Sequence, residues 1–157
     1  MYYKSLIETL KDEDTDNRII LNEQVTDANN CYIDVTLVPK DITICPNCSS
    51  TNVIKYGKKD RVIKDDYLAN RPTFITIHYN RFKCKDCLKL FNDTLPSLNP
   101  KQSISMTLKL NILEDLKLDC SFSNIAKKRN VSIQTVIDIF ESYVNFDRIP
   151  FGEVLCM

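Results

Sequence analysis

Two hydrophobic periods divide this chain. Apolar side chains recur at about every second position in Cys31 to Val38 and in Thr73 to Phe82, and at every third or fourth from Ser105 onward. In Cys31 to Val38, Ile33, Val35 and Leu37 share one face of an extended strand, and Asp34 and Thr36 take the other. Arg18 to Val25 reads as its hairpin partner across the turn Asp27-Ala28-Asn29-Asn30. The main strand is expected over Thr73 to Phe82, after the break at Arg71-Pro72. There Ile75, Ile77 and Tyr79 alternate with Thr76, His78 and Asn80. Asn52 to Tyr56 reads as a short strand closed by Gly57, then a basic turn Lys58-Lys59-Asp60-Arg61, with Val62-Ile63 opening another strand.

The helical period is clearest near the C-terminus. A helix capped by Ser105 or Thr107 should run to about Leu118, with Leu108, Ile112 and Leu116 on one side. Phe122 to Glu141 has the order of a helix-turn-helix. Ala126 permits close helix approach, Asn130 suits a left-handed turn, Val131 plugs it, and Ser132 caps the second helix. Val136 and Ile139 would face Ile125 and Ala126. A short helix over Tyr2 to Leu10, a solvated acidic loop at Asp12 to Asp16, and a linker Leu95-Pro96-Ser97-Leu98-Asn99-Pro100 complete the layout. The expected fold class is α+β: a β-hairpin and a ribbon of strands followed by a small three-helix helix-turn-helix module. The expected boundaries are 1–40 for the hairpin region, 41–94 for the ribbon, 95–104 for the linker, 105–147 for the helices and 148–157 for a tail.

Cysteine spacing adds the chemistry. Cys45-Pro46-Asn47-Cys48 and Cys84-Lys85-Asp86-Cys87 are two Cys-x-x-Cys turns with 35 residues between them. Such turns can bring four thiolates to the corners of a tetrahedron around a structural zinc, at Zn–S distances of about 2.3 Å. A redox dithiol or a disulfide is the competing reading. A redox motif needs only one such turn beside a βαβ pattern, and a disulfide framework suits a short secreted chain. Ser49 and Leu88 stand where such turns favour glycine in the left-handed region, which implies a distorted geometry. His78, the single histidine, reads as an ordinary strand residue because four cysteines already fill a tetrahedral site. Leu90 and Phe91 should cover the second turn. Cys31, Cys120 and Cys156 read as reduced, buried thiols.

Charge sharpens the picture. The net charge is zero, but residues 45–89 carry ten basic and four acidic side chains while residues 1–44 carry four and nine. Positive charge concentrated on the ribbon points to a polyanion, double-stranded DNA, with phosphate contacts from Lys58, Lys59 and Arg61 and from Lys127, Lys128 and Arg129. In a helix-turn-helix the start of the second helix meets base edges, here Ser132, Ile133, Gln134, Thr135, Ile137 and Asp138. Gln134 suits a bidentate contact to adenine, and Ile133 a thymine methyl. That helix has no Lys or Arg, so a packing or dimerising role, including a homodimer, stays open. No apolar run is long enough to span a membrane, and the start of the chain lacks a secretory pattern, which together suggest a cytoplasmic protein.

The order of these parts resembles the N-terminal region of insertion-sequence transposases of the ISL-three type. The matching residues are Cys45-Pro46-Asn47-Cys48, Arg81-Phe82-Lys83-Cys84-Lys85-Asp86-Cys87, and Ser121-Phe122-Ser123-Asn124-Ile125-Ala126 through Val131-Ser132 to Val136. The tail Pro150 to Met157 resembles the lead-in to that family's catalytic domain. The resemblance implies a non-catalytic region that binds transposon-end DNA, ahead of a ribonuclease-H-like domain this chain would lack, so no residue receives a catalytic role. A stand-alone transcription regulator and a zinc-stabilised protein-interaction module are the alternatives.

Overall fold

The structure is a computed structural model that describes residues 4–39, 44–93, 98, 101–118 and 120–143. The 148–157 tail, Cys156 and most of the expected linker lie outside them. The chain divides into two compact units, residues 1–108 and 109–157. Among the described residues no helix is long and apolar enough to cross a membrane.

In the first unit, helix α1 (Leu6–Glu13) starts at Ser5, whose hydroxyl accepts from Glu8 N while the Glu8 carboxylate accepts from Ser5 N at 2.8 Å. This reciprocal pair satisfies two helix-end donors. The helix starts later than the sequence predicted and takes in Asp12 and Glu13, which were expected in a loop. Asp14, just past its end, accepts backbone N–H bonds from Arg18 and Ile19, both at 2.7 Å, and so sets the entry to the sheet.

Strands β1 (Ile19–Thr26) and β2 (Cys31–Leu37) form the predicted antiparallel hairpin. Asp27 Oδ1 closes its turn by accepting from Asn29 N and Asn30 N. Strands β3 (Val53–Leu68) and β4 (Arg71–Cys84) form a second, longer antiparallel hairpin. Ala69 and Asn70 both take positive φ, 50° and 63°, as a two-residue type I′ turn requires. Strand β5 (Leu90–Asn92) adds to the end of β4.

Two expectations fail here. Lys58 to Arg61 is not a turn but the middle of β3, where Lys58, Lys59, Asp60 and Arg61 oppose Asn80, Tyr79, His78 and Ile77. These residues are polar because little covers that stretch, and β4 still supplies their hydrogen-bond ladder. Nor does Gly57 close the strand before it, because β3 runs on through it. β2 pairs with β4 in parallel, Cys31 opposite Thr73 through Thr36 opposite His78, giving one sheet of order β1-β2-β4-β3.

One face of this sheet buries Ile33, Val35 and Leu37 of β2, Ile63 of β3, and Ile75, Ile77 and Tyr79 of β4 against Leu6 and Leu10 of α1, together with Leu98. Each such side chain, fully buried, contributes about 1.5–3 kcal/mol. The buried Asp65 on the same face accepts from Leu6 N at 2.8 Å and Ser105 Oγ at 2.5 Å. Burial pushes its pKa up, and these two donors oppose that rise. Past Tyr79 the burial in β4 changes phase: Phe82 and Cys84 are buried, Lys83 only partly. The C-terminal end of β4 thus turns its other face to a second small core, in which Phe82 stacks on Phe91 at 5.8 Å. Of the two residues expected to cover the second turn, Phe91 packs here on Phe82, whereas Leu90 is exposed.

Helix α2 (Met106–Lys117) is capped by Ser105, whose hydroxyl accepts from Leu108 N at 3.1 Å. In the second unit, α3 (Phe122–Arg129) ends on Asn130 in the left-handed region, φ 52° and ψ 46°, and α4 (Ile133–Tyr143) follows. Ser121 Oγ accepts from Asn124 N and Ser132 Oγ from Thr135 N, so each of these helices has a hydroxyl cap. Ile125 and Ala126 of α3 and Val136 and Ile139 of α4 are buried, and Phe122 meets Phe140 at 5.5 Å. Cys31 is buried as expected; Cys120 is exposed, against expectation, because it lies after α2 rather than within a helix face.

Candidate metal centre and nucleic-acid surface

The β3–β4 hairpin explains how the two Cys-x-x-Cys turns meet despite their distance in sequence. Val53 at the start of β3 pairs with Cys84 at the end of β4, so the first turn, just before β3, meets the second, just after β4. Cys45 Sγ lies 3.7 Å from Cys87 Sγ and Cys48 Sγ 3.6 Å from Cys84 Sγ, with all four sulfurs within 4.8 Å of one another. Four sulfurs about 2.3 Å from a zinc at their centre stand about 3.8 Å apart. A disulfide needs about 2.05 Å. The site fits zinc and excludes a disulfide in this conformation.

Both turns share a local design. Ser49 N donates to Cys45 O at 2.9 Å, Cys45 N to Ser50 O at 2.8 Å, and Cys84 N to Lys89 O at 3.0 Å. Ser49 and Leu88 take φ of 58° and 60°. Each non-glycine residue there costs about 1–2 kcal/mol. Both residues take the left-handed backbone that glycine would, so the turns carry strain at these positions. The Lys89 backbone N–H pulls the Cys87 thiol down to about 7. The Ser50 N–H also lowers Cys48, but burial and the neighbouring sulfurs outweigh it and push that thiol up to about 12. Zinc must therefore displace protons to bind, which makes affinity fall in acid. Polar bonds lace the turns together: Asp86 accepts from Ser50 Oγ and from Asn52 Nδ2 at 3.0 Å, and Lys89 Nζ donates to Asn47 Oδ1 at 2.7 Å.

Residues 42–87, 46 of the 157, match the family model described as the zinc-finger of transposase IS204/IS1001/IS1096/IS1165. This stretch is similar to a transposase zinc ribbon. No curated protein and no solved structure matches the chain. The four cysteines hold a structural zinc, the ion for which their geometry and donor set are suited. Among the described residues they are the cluster able to hold a metal.

The predicted DNA-contacting residues divide between the two units. On the ribbon's β3, Lys58 and Lys59 are exposed; Arg61 is half-buried, and its guanidinium donates to Gln102 O. In the second unit Lys127 is exposed, whereas Lys128 Nζ and Arg129 Nε donate to the buried Asp115 at 2.6 and 2.7 Å. Burial pushes the Asp115 pKa up, but Arg129 and Lys128 outweigh it and hold the carboxyl below its ordinary value. On α4, Ile133, Gln134 and Asp138 are exposed, Thr135 and Ile137 partly so, and Ser132 is the cap. Gln134 Nε2 already donates to Asp138 Oδ1 at 2.8 Å. His78 is no metal ligand. It bridges two strands, with Nδ1 2.6 Å from Asp60 and Nε2 2.9 Å from Asp34.

Sequence reasoning missed three features of the site. Asp115, one of many acids in the chain, has no local signature. Lys83 lies over the Tyr56 ring at 5.5 Å, and Tyr56 itself is the unpaired residue of a bulge between Lys55 and Gly57. Tyr-Gly within a strand was the available signal, since glycine there marks bulges.

Proposed function

We propose that the chain is the DNA-binding region of a transposase and recognises transposon-end, inverted-repeat duplex DNA. In this reading α3 and α4 act as a helix-turn-helix and the zinc ribbon as a second, mainly electrostatic contact. The observation that carries it is the match of residues 42–87 to a transposase zinc-finger, joined to four sulfurs at zinc-site spacing. Further support comes from the left-handed Asn130 between two capped helices with a shared apolar seam. The exposed Lys58, Lys59 and Lys127 are best placed for phosphates; Lys128 joins them by leaving Asp115, and Arg129 acts through the helix it anchors. Gln134 would exchange its bond to Asp138 for one to an adenine edge. Zinc acts structurally, and the reading assigns no catalytic residue.

Titrating labelled end DNA against salt tests this reading. Affinity should fall with a log–log slope of about −0.9 per phosphate neutralised, and replacing Lys58 and Lys59 with Gln should flatten that slope. Gln134→Ala should relax preference at particular base pairs by about 1–3 kcal/mol. Salt-independent binding, or none at all, refutes the proposal. That result would favour the protein-interaction module, whose support is an α4 with Asp138 and Glu141 and no basic side chain.

A further inference from the structure

The bulge in β3 has a specific consequence. Lys55 pairs with Phe82 and Gly57 with Arg81, which leaves Tyr56 outside the ladder. Gly57 takes φ +121°, a conformation that side-chain-bearing residues rarely adopt, and a Cβ there would meet no atom within 4 Å. The glycine is therefore required by the backbone and not by crowding. Bulges of this kind re-aim a side chain. Here the re-aimed residue is a tyrosine left 51% exposed, with the Lys83 ammonium 5.5 Å from its ring centroid.

The neighbouring stretches of the two paired strands are mostly basic. Residues 53–60 and 81–89 carry Lys55, Lys58, Lys59, Lys83, Lys85 and Lys89, with Arg81, against two acids, Asp60, which is engaged by His78, and Asp86. Asp86 is engaged by Ser50 and Asn52. A zinc held by four thiolates has a net charge of about −2, too little to cancel these cations. An exposed aromatic ring in a lysine field has the chemistry that binds unpaired nucleotides: the ring stacks on a base, the lysines hold neighbouring phosphates, and every base offers a π-face. A base inside a duplex has no free face to offer.

We propose that Tyr56, supported by Lys83, is a stacking site for an unpaired base of DNA, so that the ribbon favours a duplex with a single-stranded extension over a blunt one. This rests on the DNA-binding reading above and adds to it the strand state of the ligand.

The experiment uses the full zinc-loaded chain and two fluorescent probes, a blunt duplex and the same duplex with a short thymidine overhang. Tyr56→Ala should bind the overhanging probe about five- to hundredfold more weakly and the blunt probe as the wild type does. Tyr56→Phe, which keeps the ring, should retain binding to both, and Lys83→Ala should show part of the overhang-specific loss. Elemental zinc content and circular dichroism confirm that each variant folds; a Tyr56→Ala chain that lost zinc would make Tyr56 a structural residue and overturn the proposal. It is also overturned by equal losses on both probes, by no loss, or by Tyr56→Phe behaving like Tyr56→Ala. If the wild type binds blunt duplex with the expected salt slope and Tyr56→Ala matches it on the overhang, only the stacking site falls. If the wild type binds neither probe, the DNA reading falls with it.

Discussion

Asp115 offers the sharpest test of the second unit. Its carboxylate, with a side chain only 4% exposed, takes Lys128 Nζ at 2.6 Å and Arg129 Nε at 2.7 Å, and so ties α2 to the end of α3. Asp115→Asn keeps the volume and removes the charge. Breaking a buried ion pair from one side costs about 3–5 kcal/mol. The Lys128 half must be discounted, because that side chain is 57% exposed and returns to water. Arg129, 17% exposed, loses a charged partner. The loss should therefore be about 2–4 kcal/mol, read as a lower urea midpoint of the helical signal at unchanged slope. The pH dependence follows from the lowered pKa. A carboxyl depressed on folding stabilises above its unfolded value, near 3.9, and loses that contribution as pH falls through its folded value. Wild type and Asp115→Asn should differ at neutral pH and converge in strong acid. A neutral-pH difference below about 0.5 kcal/mol, the scale of an ordinary surface substitution, or a gap that persists in acid, would refute the reasoning.

Three further outcomes are expected. The chain purified without added metal should carry one zinc, and Cys84→Ser should lose both zinc and the ribbon fold; a folded, chelator-resistant ribbon in that variant would contradict the metal centre. The side-chain bonds from Asp60 and Asp34 raise the His78 pKa. Its protonated form thus stabilises fully below about 6.5, the unfolded value, and progressively less as pH rises through the folded value, and a His78→Gln chain should lack that component in unfolding curves across the same range. Leu88→Gly removes a strain of about 1–2 kcal/mol at a residue 67% exposed, against about 0.4–1 kcal/mol of added unfolded-state entropy. It should leave zinc affinity unchanged or several-fold tighter by chelator competition; a weaker site would mean that the Leu88 side chain itself supports the turn.

Much of this protein is set by local chemistry that a linear reading can follow. Asp27 closes its turn with bonds to Asn29 and Asn30, Asn130 suits a left-handed stop, and Ser121 and Ser132 cap the helices that follow them. Each acts within about four residues, so neighbours in sequence carry the information. The zinc ligands were legible for a related reason, since a Cys-x-x-Cys turn converges its own two sulfurs. Longer-range decisions belong to the tertiary structure. Lys58 to Arg61 looks like a turn until β4 supplies a ladder opposite it, and nothing near Cys31 announces a parallel partner at Thr73. Arg129 and Lys128 look like free cations until folding brings them to Asp115, 14 and 13 residues away. Only the folded sheet decides that Tyr56 stands outside the ladder, because a bulge is a mismatch between two strands and belongs to neither alone.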